Sequence, residues 1–140
     1  MATLLGTPYE RGKSDVIVSR KVDAPIEEGL FVADAGEGKV KAFAGGDTPF
    51  GVMGQNEIVG CSVVVAGLKV YVQADDACTP TIGKQVFVTA EGKATHAEES
   101  NTGLKAEFAE GACKENGVTD NTATKATNRK CVAINFVGGF

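Results

Sequence analysis

Apolar and polar residues alternate along four segments of the chain, and a period of two is typical of β-strands with one buried face. In residues 68–73 every second position carries Leu or Val, and the positions between them carry Lys, Tyr and Gln. The other three segments begin near Val16, Val86 and Val132. Successive side chains of a strand point to opposite faces, so each segment predicts a half-buried strand.

Four shorter apolar runs, bounded by glycine or by Pro and Asp, are further strand candidates. They lie at residues 30–33, 39–43, 51–53 and 61–65. Pairs such as Glu91-Gly92 and Asn116-Gly117 predict turns, because glycine and asparagine tolerate a positive φ. Together the segments predict about eight strands. Helical spacing is limited to residues 102–111, where at most one or two turns are expected.

Residues 29–39 and residues 83–93 resemble each other. Each segment has a glycine, an apolar strand, an alanine-bearing turn and then Glu-Gly-Lys. Each therefore predicts a β-hairpin. A duplicated β-unit and independent convergence on glycine-rich turns both account for the similarity, and the sequence leaves both open.

Two segments lack a strand pattern. Residues 1–14 contain Pro8 and two glycines, and we predict that they form an extended arm. Residues 109–130 are rich in Thr, Asn and Ala and have few large apolar residues, which predicts a long polar loop before the last strand. The prediction for residues 1–140 is a single all-β domain, a small antiparallel β-barrel or jelly-roll of about eight short strands.

The composition supports one folded domain and reduces the classes of partner that we expect for it. With 140 residues the chain has room for one core, and 43% hydrophobic against 23% charged residues excludes a disordered chain. The net charge is −4 and Lys and Arg form no run, so nucleic acid is not expected as a partner. The N-terminus has no basic leader, and the longest apolar stretch, residues 63–68, is too short to cross a bilayer. We therefore expect neither export nor a membrane partner.

The four cysteines, Cys61, Cys78, Cys113 and Cys131, are widely spaced and include no Cys-x-x-Cys pair. His96 is the only histidine, so a zinc site is not expected. Without a secretion signal the expected compartment is a reducing cytosol. That compartment favours partly buried, reduced thiols over a disulfide framework.

Candidate catalytic patterns fail on spacing or context. Adjacent acidic residues point to opposite faces of an extended chain, no Gly-x-Ser-x-Gly elbow occurs, and the glycines near the N-terminus lack P-loop spacing. We expect no enzyme activity, no cofactor and no metal. One enzymatic alternative stays open, a Cys/His site in which Cys113 or Cys131 lies close to His96 and has a depressed thiol pKa.

Six β segments follow one another in an order that is similar to that of a known family. The segments are 28–33 (EGLFVA), 38–42 (GKVKA), 50–54 (FGVMG), 68–72 (LKVYV), 83–88 (GKQVFV) and 132–136 (VAINF). Their order of glycine, strand, turn, strand and then apolar-Gly-Val-x-Gly resembles the small cement (decoration) proteins of tailed-bacteriophage capsids. The resemblance covers most of residues 8–108 and the last ten residues, while residues 109–130 have no counterpart.

The resemblance implies a compact β-barrel or jelly-roll that binds the outer face of an assembled HK97-type capsid and bridges its major capsid protein subunits. It implies a homodimer or homotrimer on the virion surface, made in the cytoplasm of a bacterial host, with no catalytic residue. An extended arm can add a strand to a neighbour, and a polar loop can follow the capsid surface, so we expect the contacts there. The expected contact residues are Thr7, Pro8, Tyr9, Arg11, Lys13, Lys114, Asn116, Lys125 and Arg129.

A stand-alone cytoplasmic β-barrel that binds a small molecule is the alternative from another class of protein. This alternative predicts a deep apolar pocket and a stable monomer. The capsid hypothesis instead predicts affinity for assembled shells.

Overall fold

Eleven β-strands and no helix make up the part of the chain that the computed structural model describes, residues 8–10, 16–57, 60–98, 105–116 and 129–136. In chain order the strands are β1 Pro8–Glu10, β2 Val16–Arg20, β3 Phe31–Gly36, β4 Lys39–Ala42, β5 Gly51–Glu57, β6 Gly60–Gln73, β7 Phe87–Val88, β8 Ala94–Thr95, β9 Ala106–Phe108, β10 Lys114–Asn116 and β11 Arg129–Phe136. The strands pair in an antiparallel manner. The predicted all-β, antiparallel fold is confirmed.

Strand β6 organises the larger sheet, because four strands pair with it. Its first half, residues 60–66, pairs with β2 and β5, and its second half, residues 67–73, pairs with β1 and β11. Beyond β5 the sheet continues through β3 to β4. Beyond β11 it continues to β10 and β9, which pair with opposite ends of β11. The short strands β7 and β8 form a second, two-stranded sheet.

The larger sheet is not a closed barrel. Its β4 end approaches the end of β2 through one isolated parallel bridge between Lys21 and Lys39. Two backbone hydrogen bonds make this bridge: Lys21 N donates to Gly38 O at 3.0 Å, and Val40 N donates to Lys21 O at 2.9 Å. Further strand pairing across this gap is absent from the described residues.

Both faces of β6 and β11 are covered, which corrects the prediction of half-buried strands. Val64, Val70 and Val72 of β6 belong to the main apolar cluster, which also contains Phe31 and Phe108. Val63, Val65 and Tyr71 of β6 point the other way and join smaller clusters, around Met53 at one end and around Cys131 and Ala133 at the other. The predicted alternation is present, but side chains that were expected to face solvent, such as Tyr71, pack in these smaller clusters.

A local kink in β6 marks the point where the strand changes partners. Lys69 has a φ of +52°, and its N–H donates to the side-chain oxygen of Asn135 at 2.9 Å. Opposite the kink, the register of β11 shifts between Ile134 and Phe136. The distortion leaves Leu68 44% exposed, although it has the same parity as the buried Val70.

Three strands lie where no strand was predicted. The described part of the predicted helical turns, residues 105–111, contains β9, so the helix prediction is wrong there. The predicted arm contains β1, and the two ends of the predicted long loop contain β10 and the start of β11, so an unbroken loop is wrong at those ends. Such short strands depend on an available partner edge rather than on their own alternation. Both predicted hairpins are confirmed, as β3–β4 and β7–β8.

Candidate functional site

Five of the nine predicted contact residues lie at two edges of the larger sheet, and the other four lie outside the described residues. Thr7, Arg11, Lys13 and Lys125 lie outside the described residues. Pro8 and Tyr9 belong to β1, while Asn116 of β10 lies opposite Arg129 of β11. Since β1, β6, β11 and β10 follow one another across the sheet, the two predicted contact segments lie at opposite edges rather than together.

Lys114, whose side chain the structure describes, makes its contacts within the chain. Its Nζ donates to the hydroxyl of Tyr71 at 2.8 Å, lies 3.4 Å from Glu110 Oε2 and stands 4.6 Å above the Tyr71 ring. The Tyr71 hydroxyl in turn donates to Glu110 Oε2 at 3.1 Å. The hydrogen bond to Tyr71, and then the negative charge of Glu110, raise the pKa of Lys114. This network covers the apolar cluster of Tyr71, Cys131 and Ala133.

An exposed apolar strip follows β2 and the neighbouring part of β6. Val16 and Ile17 are 45% and 38% exposed, and a register shift between them pairs them with Ala66 and Val64, which lie on one face of β6. Leu68, which is 44% exposed, lies two residues along β6 from Ala66. The remaining large apolar side chain that is exposed in the described chain, Ile82, is 68% exposed on a loop after β6. We call Val16, Ile17 and Leu68 the β2 strip.

The outer edge of β2 is also open to a further strand. Among the described strands, β2 pairs with β6 alone, and the bridge to β4 begins only at Lys21. An unpaired strand edge with apolar side chains is a template for strand addition. The edge strand at the opposite end of the sheet, β4, carries Lys39 and Lys41. Lysines on an edge strand discourage pairing with a further strand.

An open cleft with a volume of about 570 Å³ does not have the enclosed apolar walls of a small-molecule pocket. Its lining includes charges of both signs, among them Glu27, Asp76 and Lys130. On its floor Gln73 is buried and donates from Nε2 to Glu27 Oε1 at 3.2 Å. This cleft is therefore not the deep apolar pocket that the small-molecule alternative predicts.

The structure brings two cysteines together near the single histidine. Cys113 Sγ donates a hydrogen bond to the carbonyl oxygen of Cys78 at 3.6 Å, and Cys113 packs against the apolar cluster that contains Cys78. His96 Nδ1 accepts a hydrogen bond from the backbone N–H of Thr79 at 3.0 Å. Cys131 lies elsewhere, in the cluster on the other side of the sheet. Cys78, Cys113 and Cys131 are free cysteines in the structure.

The thiol pKa values move in the direction opposite to that of a catalytic nucleophile. Burial, and then the neighbouring Cys113, raise the pKa of Cys78 from 9.0 to about 12. Burial also raises the pKa of Cys113, against a lowering effect of the positive charge of Lys130. The Cys/His alternative required a depressed pKa, because the thiolate is the reactive form.

Sequence reasoning missed both clusters. Cys78 and Cys113 are 35 residues apart in no motif, and Tyr71 joins Lys114 only because β6 and β10 both flank β11. Glu110 and Lys114 are four residues apart, but that spacing indicates proximity in a helix, whereas this segment leads into a strand. The β2 strip was recognised as a strand and not as a contact surface.

Other kinds of site find no support in the regions that the structure describes. No group of three or more His, Cys, Asp or Glu side chains there is placed to hold a metal ion. Within the same regions no helix is long and apolar enough to cross a membrane. Comparison with known proteins adds no further residue, since no protein-family model matches the chain and no curated protein matches it.

Proposed function

We propose that this chain is a structural virion protein that binds the outer surface of an assembled HK97-type phage capsid and stabilises it by bridging major capsid protein subunits. The observation that carries the proposal is the β2 strip on a strand edge that no other described strand pairs with. The ordered resemblance of its segments to phage cement proteins supports the choice of partner. In this proposal the protein is made in the host cytoplasm and acts as a homodimer or homotrimer, without catalysis.

The β2 edge offers two kinds of contact to a capsid subunit. The unpaired edge can form backbone hydrogen bonds with an added strand. The apolar side chains Val16, Ile17 and Leu68 lose water when a partner covers them, which contributes about 1 kcal/mol for each half-exposed side chain. Each contact is modest. A shell binds many copies, however, and bridging between subunits makes the stabilisation large in sum.

The incomplete closure of the larger sheet fits the same proposal. We describe the sheet as a partly open β-barrel, and we call the bridge between Lys21 and Lys39, where its two ends meet, the seam. The seam secures the end of β2 to β4, so the strip from Val16 onwards is held on the body of the domain. A rigid edge loses less conformational freedom on binding than a mobile one.

Co-sedimentation with capsids tests this function. Purified protein is mixed at low salt with expanded, DNA-free capsids of a tailed phage whose genome also encodes this chain, and the capsids are pelleted. We expect saturable binding in a fixed ratio to the major capsid protein. A protein that stays in the supernatant at low salt and elutes from a sizing column as a monomer would contradict the proposal and favour the small-molecule alternative.

A matched pair of substitutions locates the contact surface. Ile17→Glu places a charge in the β2 strip, and we expect it to weaken capsid binding at least about tenfold, because burying an unpaired carboxylate is costly. Ile82→Glu places the same charge on an exposed loop outside the strip and leaves binding unchanged. Thermal melts of both variants check that each is folded. Equal loss of binding in the two variants would show that the β2 strip is not the contact surface.

A further inference from the structure

Cys78 and Cys113 lie in two different connections that meet beside β11. Cys78 follows β6 in a turn closed by its own N–H, which donates to Asp75 O at 2.9 Å. Cys113 immediately precedes β10. Cys113 Sγ donates a hydrogen bond to the Cys78 carbonyl oxygen at 3.6 Å, so the two residues are in direct contact.

Neighbouring residues of β11 hold both connections in place. The backbone N–H of Ala74 donates to Lys130 O at 2.9 Å, and Lys130 Nζ donates to Asp76 O at 2.7 Å, which secures the segment that leads to Cys78. Lys114, next to Cys113, is paired with Cys131, the residue that follows Lys130. Strand β11 therefore holds the backbone on either side of the contact between Cys78 and Cys113.

We propose that Cys78 and Cys113 form an intramolecular disulfide when the folded protein meets a small-molecule disulfide such as oxidised glutathione. The Cys113 sulfur already lies 3.6 Å from the backbone carbonyl oxygen of Cys78 and packs against the apolar cluster that contains Cys78, and no other pair among the cysteines whose side chains are described is brought together. This modification site goes beyond the capsid role and does not depend on it. It also revises the sequence-based expectation that the cysteines are simply reduced.

Exposure of the thiols sets the order of the two exchange steps. Cys113 is partly exposed, whereas Cys78 is only 2% exposed, so the external disulfide reaches Cys113 first. The Cys113 thiolate attacks one sulfur of oxidised glutathione, and a glutathione thiolate leaves. The Cys78 thiolate then attacks the Cys113 sulfur and displaces the second glutathione. Two protein thiols are oxidised, one glutathione disulfide is reduced to two glutathione molecules, and the two thiol protons pass to the leaving thiolates.

The crosslink would stabilise the part of the chain that carries β7, β8 and β9. These strands lie between Cys78 and Cys113, so the disulfide closes a loop that spans 35 residue steps. Closing a loop of that length restricts the unfolded chain. We expect the melting temperature of the oxidised protein to be about 10 °C above that of the reduced protein.

Peptide mapping of the full-length protein tests the proposal. Lys or Arg residues separate all four cysteines, so trypsin places each cysteine in a different peptide. The folded protein is treated with oxidised glutathione at about pH 8.5, remaining thiols are alkylated, and the unreduced digest is analysed by mass spectrometry. We expect a linked pair of peptides 70–84 and 106–114, which dithiothreitol separates.

Two variants and a thermal melt complete the experiment. Cys113→Ser loses both the linked peptide and the rise in melting temperature, while Cys131→Ala keeps the linked peptide. Alkylated, unlinked Cys78 and Cys113 after full treatment of the wild-type protein would overturn the proposal. So would a dominant link between any other two cysteines, because the native contact would then not determine the pairing.

Discussion

Gly51, at the start of β5, has no room for a side chain. A Cβ atom there would lie 2.6 Å from the carbonyl oxygen of Val64 and 2.7 Å from Val63 Cγ1, both on β6. We expect Gly51→Ala to lower the free energy of unfolding by about 2–3 kcal/mol, because the two strands must move apart in a close-packed region. Urea unfolding followed by circular dichroism measures the change.

Gly45→Ala is the matched control for this substitution. A Cβ atom at Gly45 would meet nothing closer than Ala90 Cβ at 3.7 Å, which is an ordinary contact. We expect the stability of this variant to stay within about 0.5 kcal/mol of the wild-type value. Equal destabilisation by the two substitutions would mean that the close approach of β5 and β6 at Gly51 is not the cause.

At the scale of the element, the kink in β6 depends on the backbone of Lys69. A residue with a side chain at φ +52° is strained by roughly 1–2 kcal/mol, and a β-branched residue is strained more. We expect Lys69→Gly to keep or slightly raise stability and Lys69→Val to lower it by about 1–2 kcal/mol. Both variants remove the same amino group, so the difference between their urea midpoints isolates the backbone effect. Equal urea midpoints for Lys69→Gly and Lys69→Val would contradict the positive φ at this position.

Alternation identified the elements that have a long apolar pattern and missed those that have none. It located β2, β6 and β11, because a period of two over five or more residues is unambiguous. It missed β9 and β10. Each has only three residues, and each is a strand because it pairs with the edge of β11. The kink that joins residues 61–65 to residues 68–73 in one strand has no sequence signal, since lysine rarely adopts a positive φ.

The candidate sites were less predictable than the strands for the same reason. Lys114 was predicted to face a partner, but it is hydrogen-bonded to Tyr71, a residue from another strand. The contact between Cys78 and Cys113 likewise arises from pairing around β11, at a separation that no local motif records. Sequence patterns report which face of a strand is apolar; they do not report which distant connections meet at its end.

At the scale of the whole molecule, β6 and β11 connect the β2 strip to the cysteine pair. The β2 strip lies along one edge of β6, and the cysteine pair lies beside β11, which pairs with the second half of β6. Because most of the described side chains of both strands are buried, they belong to the most stable part of the fold. Oxidation of the cysteines is therefore expected to leave the β2 edge unchanged.

Stability at high pH reports on the thiol cluster in the folded molecule. The pKa of Cys78 is about 12 in the folded protein and 9.0 ordinarily, so above pH 9 the unfolded chain releases a proton that the native state keeps. The native state then binds more protons, and the free energy of unfolding falls as pH rises. The raised pKa values of Cys113 and Lys114 act in the same direction.

We expect the reduced protein to lose about 2 kcal/mol of unfolding free energy between about pH 9 and about pH 11, measured by urea unfolding at each pH. Cys78→Ala starts from a lower stability, because it removes a buried side chain, but its stability falls less steeply over the same range. The oxidised wild-type protein also shows the shallower slope, since its disulfide has no thiol proton to release. A Cys78→Ala variant with the wild-type slope would show that the buried thiol is not the group that couples folding to pH, and the raised pKa would then have to be abandoned.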